Sequence, residues 1–187
     1  MKEFRKFVEQ YEKIPNHDWE IISGQFKKHE LPKNFNILEQ GSICKNLYFL
    51  ESGLLRYFIL KDGNEVTKFF TIAPYCFTSQ ASFNSKKPAN EYIQTIEPSI
   101  IWETSYEQNK KLLELKSWNS FARKITQEVQ FFTEGILEDL QSETAEKRYK
   151  KLLNNQPELL QRIPLKYLAS FFGVAPQSLS RIRKKLT

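Results

Sequence analysis

The hydrophobic period changes twice along this 187-residue chain, and those two changes constrain its fold more tightly than any single motif. Over residues 1 to 28 apolar side chains recur at helical spacing, first Phe4, Phe7, Val8 and Tyr11, then Trp19, Ile21, Ile22 and Phe26. Residues three and four apart share one helix face, which predicts a first helix and then a second over residues 18 to 26, with Asp18 as its N-cap. From about His29 the period falls to two, in Phe35 and Ile37, Leu47 and Phe49, Leu55, Tyr57 and Ile59, and Val66, Lys68, Phe70 and Ile72. Gly41, Gly53 and Asp62-Gly63-Asn64 interrupt these runs, so they read as short antiparallel strands joined by turns. A loop or short helix is expected over 76 to 90, followed by strands over 92 to 96 and 100 to 103. Strands this short and this closely spaced close into a barrel or a two-sheet roll.

After Ser105 the helical period returns, over residues 106 to 115 and then in a long segment over 118 to 141. Trp118, Phe121, Ile125, Val129, Phe132, Ile136 and Leu140 follow one another at intervals of three, four, four, three, four and four, an unbroken stripe. Such a helix either covers its own β domain alone or also pairs with its copy in a second chain, and its length favours the dimer. A capping-box-like Ser142-Glu143-Thr144-Ala145-Glu146 then opens a further helix through Leu153, the turn Asn154-Asn155-Gln156-Pro157 ends it, and a short helix follows over 158 to 161.

The last segment has the form of a DNA-reading motif. Leu165, Leu168, Ala169 and Phe172 lie on one face of a helix, and Gly173 supplies the permissive backbone of a sharp turn. Pro176 suits the first turn of the next helix, whose buried stripe is Leu179, Ile182 and Leu186. Gln177, Ser178, Ser180, Arg181, Arg183, Lys184 and Lys185 are left facing outward. The charge distribution agrees: residues 143 to 187 carry ten Lys and Arg against three Glu, whereas residues 1 to 142 carry eighteen against nineteen acidic residues. The whole excess of +6 therefore lies in the C-terminal quarter, which fits a polyanion-binding module as well as a merely solvated basic surface.

Other classes find little support. No apolar run approaches a membrane span, and the N-terminus lacks the apolar core of a signal peptide, so the chain is expected to be cytoplasmic with no membrane partner. Cys44 and Cys76 are the only cysteines and His17 and His29 the only histidines, which leaves no metal site and no cofactor to expect. The same scarcity argues against a cupin enzyme, whose roll holds its metal with several histidines and a glutamate. Neither a nucleophile elbow nor a phosphate loop is present, so the chain is not expected to be an enzyme.

This order of elements resembles the Crp/Fnr family of bacterial transcription regulators. The likeness rests on Gly41, on Leu47 through Arg56, on Gly63-Asn64-Glu65-Val66-Thr67, on Glu146-Lys147-Arg148-Tyr149, on Ile163 through Val174 and on Leu179-Ser180-Arg181-Ile182-Arg183. It implies an α+β fold in three segments. Residues 1–116 would be a cyclic-nucleotide-binding-like jelly roll (a double-stranded β-helix) with flanking helices, 117–141 a dimerisation helix, and 142–187 a winged-helix-like or helix-turn-helix domain. Members of the family that bind cyclic AMP carry a Gly-Glu pair and then an Arg-Ser or Arg-Thr pair. Here Thr78 and Ser79 stand at the first position, and Asn90 and Glu91 at the second. The phosphate-binding arginine is absent and an acid stands beside its place, which argues against cyclic AMP, although a different phosphate arrangement stays open.

Phe77, Thr78, Ser79, Gln80, Asn90, Glu91 and Tyr92 then line a pocket for an unidentified small molecule or are simply filled core. On the DNA side the resemblance assigns base reading to Gln177, Ser180 and Arg181, and backbone contacts to Ser178, Arg183, Lys184 and Lys185. The partners it implies are double-stranded DNA, a second copy of the chain, RNA polymerase and a small-molecule effector. A regulator-fold scaffold or small-molecule binder without sequence-specific DNA binding is the alternative.

Overall fold

The computed structural model describes residues 1–186, so Thr187, the end of the expected DNA-binding segment, lies outside the described residues. The chain forms two compact units, one of Met1–Tyr57 with Phe70–Val129, the other of Phe58–Phe69 with Gln130–Thr187. This division cuts across the three contiguous segments expected from the sequence. It falls within the long helix and lifts a hairpin out of the β region.

The first unit begins with α1 (Lys2–Glu9) and α2 (Asn16–Gly24). Pro15, not Asp18, holds the N-cap of α2, because its extended ψ of 147° ends the preceding loop three residues earlier than expected. Asp18 lies instead in the first turn, where a carboxylate suits the positive end of the helix, and there it accepts a hydrogen bond from Ser117 Oγ.

Eight strands follow: β1 (Lys27–Leu31), β2 (Asn36–Leu38), β3 (Asn46–Ser52), β4 (Leu54–Lys61), β5 (Asn64–Ile72), β6 (Tyr75–Phe77), β7 (Tyr92–Thr95) and β8 (Ser99–Ser105). They make two four-stranded sheets, in the orders β1-β8-β3-β6 and β2-β7-β4-β5. The two-sheet roll expected from the period is thus observed, with α3 (Gln80–Ser85) inserted between β6 and β7. In the first sheet β3 runs antiparallel to both neighbours, with Tyr48 opposite Phe77 on one side and Glu103 on the other. Gly53 turns β3 into β4 at a φ of +114°, and an added Cβ would lie 2.1 Å from Ser99 Oγ. Only glycine fits that close approach.

α4 (Tyr106–Leu112) starts with a capping box between Ser105 and Gln108, and α5 (Lys116–Ser142) follows. The core of the unit is an aromatic cluster that brings the N-terminal helices, β3 and the start of α5 together. Phe4 stacks on Phe49 at 4.3 Å and meets Trp118 edge-on at 6.2 Å, and Phe26 meets Trp118 at 5.9 Å. Phe4, Phe49, Trp118 and Phe121 are essentially inaccessible to solvent. Truncating one such ring to alanine costs about 3–5 kcal/mol, so α1 is part of the core rather than an appendage.

In the second unit the chain continues from α5 into α6 (Ala145–Asn155), α7 (Pro157–Arg162), α8 (Leu165–Phe172) and α9 (Pro176–Leu186). The capping residue of α6 is Thr144, whose side chain accepts from Lys147 N–H at 3.3 Å. Ser142 belongs to the last turn of α5, so the expected capping box is replaced by a simple cap. Tyr149, Leu159, Leu160, Ile163, Leu168, Ala169, Phe172 and Leu179 are buried and form the helical core. Among the described residues 143–186 every regular element is a helix, so the helix-turn-helix carries no strands of its own as a wing.

Candidate nucleic-acid interface

The turn between α8 and α9 fixes how the last helix is presented. Gly173 adopts φ 69° and ψ 31°, the left-handed conformation that closes a helix most easily without a Cβ. Val174 N–H bonds to Ala169 O at 3.0 Å and Gly173 N–H to Ser170 O at 3.1 Å, which satisfies two carbonyls at the end of α8. A third goes to a residue that local sequence patterns did not single out: Arg148 Nη2 on α6 donates to Phe172 O at 2.8 Å. A cation at a helix C-terminus opposes the negative end of its dipole. Its guanidinium also lies 5.9 Å from the Phe172 ring, which packs in turn against Tyr149. In the sequence Arg148 stands out only within the segment Glu146–Tyr149 that carries the family resemblance, because its partner is distant.

α9 has the expected two faces. Leu179 is fully buried and Ile182 and Leu186 are half-buried, while Gln177, Ser178, Arg181, Arg183, Lys184 and Lys185 are exposed. Ser180 is half-buried, beside the exposed face rather than at its centre. Gln177 and Arg181 are four residues apart, so both project from one side of the helix. Lys185 Nζ pairs with Glu146 at 2.7 Å across the helical bundle. An exposed pair of that kind is worth about 0–1 kcal/mol and yields readily to a phosphate.

The expected effector positions are partly filled. Phe77 is buried and stacks on Tyr48 at 4.9 Å, and Thr78 Oγ1 donates to Asn46 O at 2.9 Å. Ser79 and Glu91 are both buried, and Ser79 Oγ donates to Glu91 Oε1 at 2.9 Å. The buried Tyr57 phenol is held well above its ordinary pKa, first by burial and then by the Glu91 carboxylate. Gln80 and Asn90 are exposed and Tyr92 half-buried. A surface recess of about 370 Å³ lies elsewhere, at Ile21, Gln25 and Leu115, whereas one of about 400 Å³ borders these positions through Asn46 and Tyr48, with Ile37 and Ile43. Arg56, which enters the sequence analysis only as the end of the Leu47–Arg56 segment and with no role assigned, is fully buried on β4. Its only signal is a basic residue set among Leu54, Leu55, Tyr57 and Phe58. Cys44 and Cys76 are buried free thiols, and burial pushes the Cys76 thiol far up.

The stripe expected to face a second copy divides along α5. Trp118, Phe121 and Ile125 are buried in the core of the first unit, which removes them from any dimer face. Val129 and Ile136 are half-buried, while Phe132 and Leu140 are each 54% exposed. The neighbouring Phe131 and Leu137 are also exposed, at 68% and 55%.

Comparison with known proteins places these features. Residues 28–116 match the cyclic nucleotide-binding domain family. Among solved structures, FixK2 from Bradyrhizobium japonicum is 16% identical with a TM-score of 0.73, over 86% of this chain and 84% of its own. A regulator assigned to the Crp/Fnr family from Eubacterium rectale is 16% identical with a TM-score of 0.72, over 92% and 83%. The fold is that of the Crp/Fnr regulators. CLP from Xanthomonas campestris, a regulator described as responsive to c-di-GMP, shares this Crp/Fnr fold at 19% identity and a TM-score of 0.69, over 92% of this chain and 91% of its own. No curated protein matches the sequence. Among the described residues no helix is long and apolar enough to cross a membrane, and no group of His, Cys, Asp and Glu could hold a metal ion.

Proposed function

We propose that the chain is a homodimeric, sequence-specific DNA-binding transcription regulator of the Crp/Fnr type, with a β roll that does not take cyclic AMP. The observation that carries this reading is α9: a helix set by a left-handed glycine turn, packed through Leu179 and presenting Gln177, Arg181, Arg183, Lys184 and Lys185 to solvent. Arg181 is suited to a bidentate contact with guanine O6 and N7, and Gln177 to one with adenine. Ser180 borders this pair. Ser178, Arg183, Lys184 and Lys185 hold phosphates and supply the salt-dependent part of the affinity.

The second copy docks on the distal half of α5. Large exposed apolar side chains grouped on one helix mark an interaction surface, and Phe132, Leu137 and Leu140 are such a group. A two-fold dimer would present two copies of α9 to two half-sites.

Glu91 makes the roll unsuited to cyclic AMP. A buried carboxylate already bonded to Ser79 occupies the region where the resemblance would seat a phosphate, and a second anion there would meet its charge. A different effector, or none, acts on this roll.

Selection of bound DNA from a random library by the purified protein tests the reading. The expected result is a two-fold symmetric consensus. Failure to enrich any sequence would leave a scaffold with a regulator's fold.

A further inference from the structure

One peptide group sets the direction in which the chain leaves α8 for α9. It joins Phe172 to Gly173, and both of its polar ends are held: Gly173 N–H donates to Ser170 O at 3.1 Å, and Phe172 O accepts from Arg148 Nη2 at 2.8 Å. A peptide unit is planar, so holding both ends holds the plane, and with it the Gly173 φ of 69° about which the chain turns. Glycine enters that conformation readily and leaves it as readily. The turn therefore needs an outside hold, which α8 does not supply, because its last turn carries no basic residue. Elsewhere on α8, Ser170 Oγ donates to Glu65 O and accepts from Thr67 N–H, each at 2.9 Å. Neither bond reaches the Phe172 carbonyl.

The hold comes from α6. Tyr149 packs on the Phe172 ring at 5.7 Å, while its neighbour Arg148 takes the Phe172 carbonyl. Arg148 keeps this place although its Nε is buried with no hydrogen-bond partner among the described residues. Burying an unpaired donor is costly, and an arginine with no other task would swing out to solvent. Two residues earlier, Glu146 meets Lys185 in the last turn of α9 at 2.7 Å. The same helix thus touches α9 at its far end and governs its entry.

We propose that Arg148 is a positioning residue for DNA reading: by fixing the Phe172–Gly173 peptide it sets the angle at which Arg181 meets a base, and so controls discrimination rather than attraction to phosphate. The inference rests on the DNA-binding reading above and adds to it a residue that acts without touching DNA. A bidentate guanidinium contact tolerates little rotation of its helix, whereas attraction to the phosphate backbone is indifferent to sequence and forgiving of angle.

The test uses the full-length protein with Arg148→Met, which keeps the apolar stem, and Arg148→Lys, which keeps a cation able to donate. Each is made alone and with Arg181→Ala, and affinities for the selected site and for random DNA are compared where thermal melts show the variants folded. Arg181 carries about 5- to 150-fold of discrimination, which is the ceiling for a residue acting through it. Arg148→Met is expected to lower the ratio of site to random binding at least about 5-fold with random binding little changed, and Arg148→Lys to restore most of it. In the Arg181→Ala background Arg148→Met should change the ratio by less than about 2-fold, because effects that share one contact do not add. The same loss in both backgrounds, or equal loss on both DNAs, would overturn the assignment.

Amide hydrogen exchange followed by NMR without DNA decides the structural half separately. Gly173 and Val174 should exchange faster in Arg148→Met while the amides of α7 keep their wild-type rates. Unchanged rates at Gly173, or an even quickening from α6 to α9, would show that Arg148 does not hold the turn. If the wild type selects no DNA site, the regulator reading fails, and exchange still decides whether Arg148 fixes the entry to α9.

Discussion

Arg181 and Lys184 are both exposed on α9, one turn apart, but chemistry gives them different work. A guanidinium fork fits a base edge, whereas an ammonium is a point charge that suits a phosphate. Arg181→Ala is therefore expected to cost about 1–3 kcal/mol of discrimination between the selected site and random DNA, read by competition binding. Lys184→Ala should weaken both to a similar extent and lower the slope of log affinity against log salt by about one. These two residues were legible in the sequence because an exposed helix face follows directly from where Leu179, Ile182 and Leu186 point. The interior of the roll was legible only by position. That Glu91 would be buried against Ser79, or that Arg148 would cap α8, depends on contacts across 12 and 24 residues, which no local pattern encodes.

α5 shows the same limit for an element. Its period announced a continuous apolar stripe, and the helix does run from Lys116 to Ser142. Periodicity states which side of a helix is apolar and is silent on what covers it. Three stripe residues close the core with Phe4 and Phe26, and the distal ones stay at the surface. The two halves should therefore respond differently to a charge. Leu137→Glu is expected to shift the protein from dimer to monomer in sedimentation while leaving its thermal midpoint in the monomer range little changed. An unchanged dimer would place the interface elsewhere.

For the whole molecule, the two switches of period were enough to locate the roll and its flanking helices, since each depends only on which side chains face inward. The partition into units was not, because the hairpin leaves the β region through a contact with α8, more than a hundred residues away in sequence. The first unit should also carry a distinct alkaline response. Tyr11 and Tyr75 both donate to Glu128, and burial first, then that carboxylate, holds each phenol above its ordinary value of 10. A folded pKa raised above the unfolded one gives stability that is complete below pH 10 and is lost as pH rises beyond it. The thermal midpoint should fall above pH 10, and Tyr11→Phe should flatten that fall. An identical alkaline slope in the variant would dismiss the tyrosine pair as its source.

The discontinuous second unit also orders events in time. During synthesis the residues of the hairpin leave the ribosome long before α8 exists, and the strand edge that Ser170 will complete stays open until the last turn of that helix has been made. A fragment cut at the start of α6 would inherit four helices and the whole reading motif yet lack the segment that finishes its own folding unit. The gene is read in one direction, but this unit is completed only by returning to what was made first.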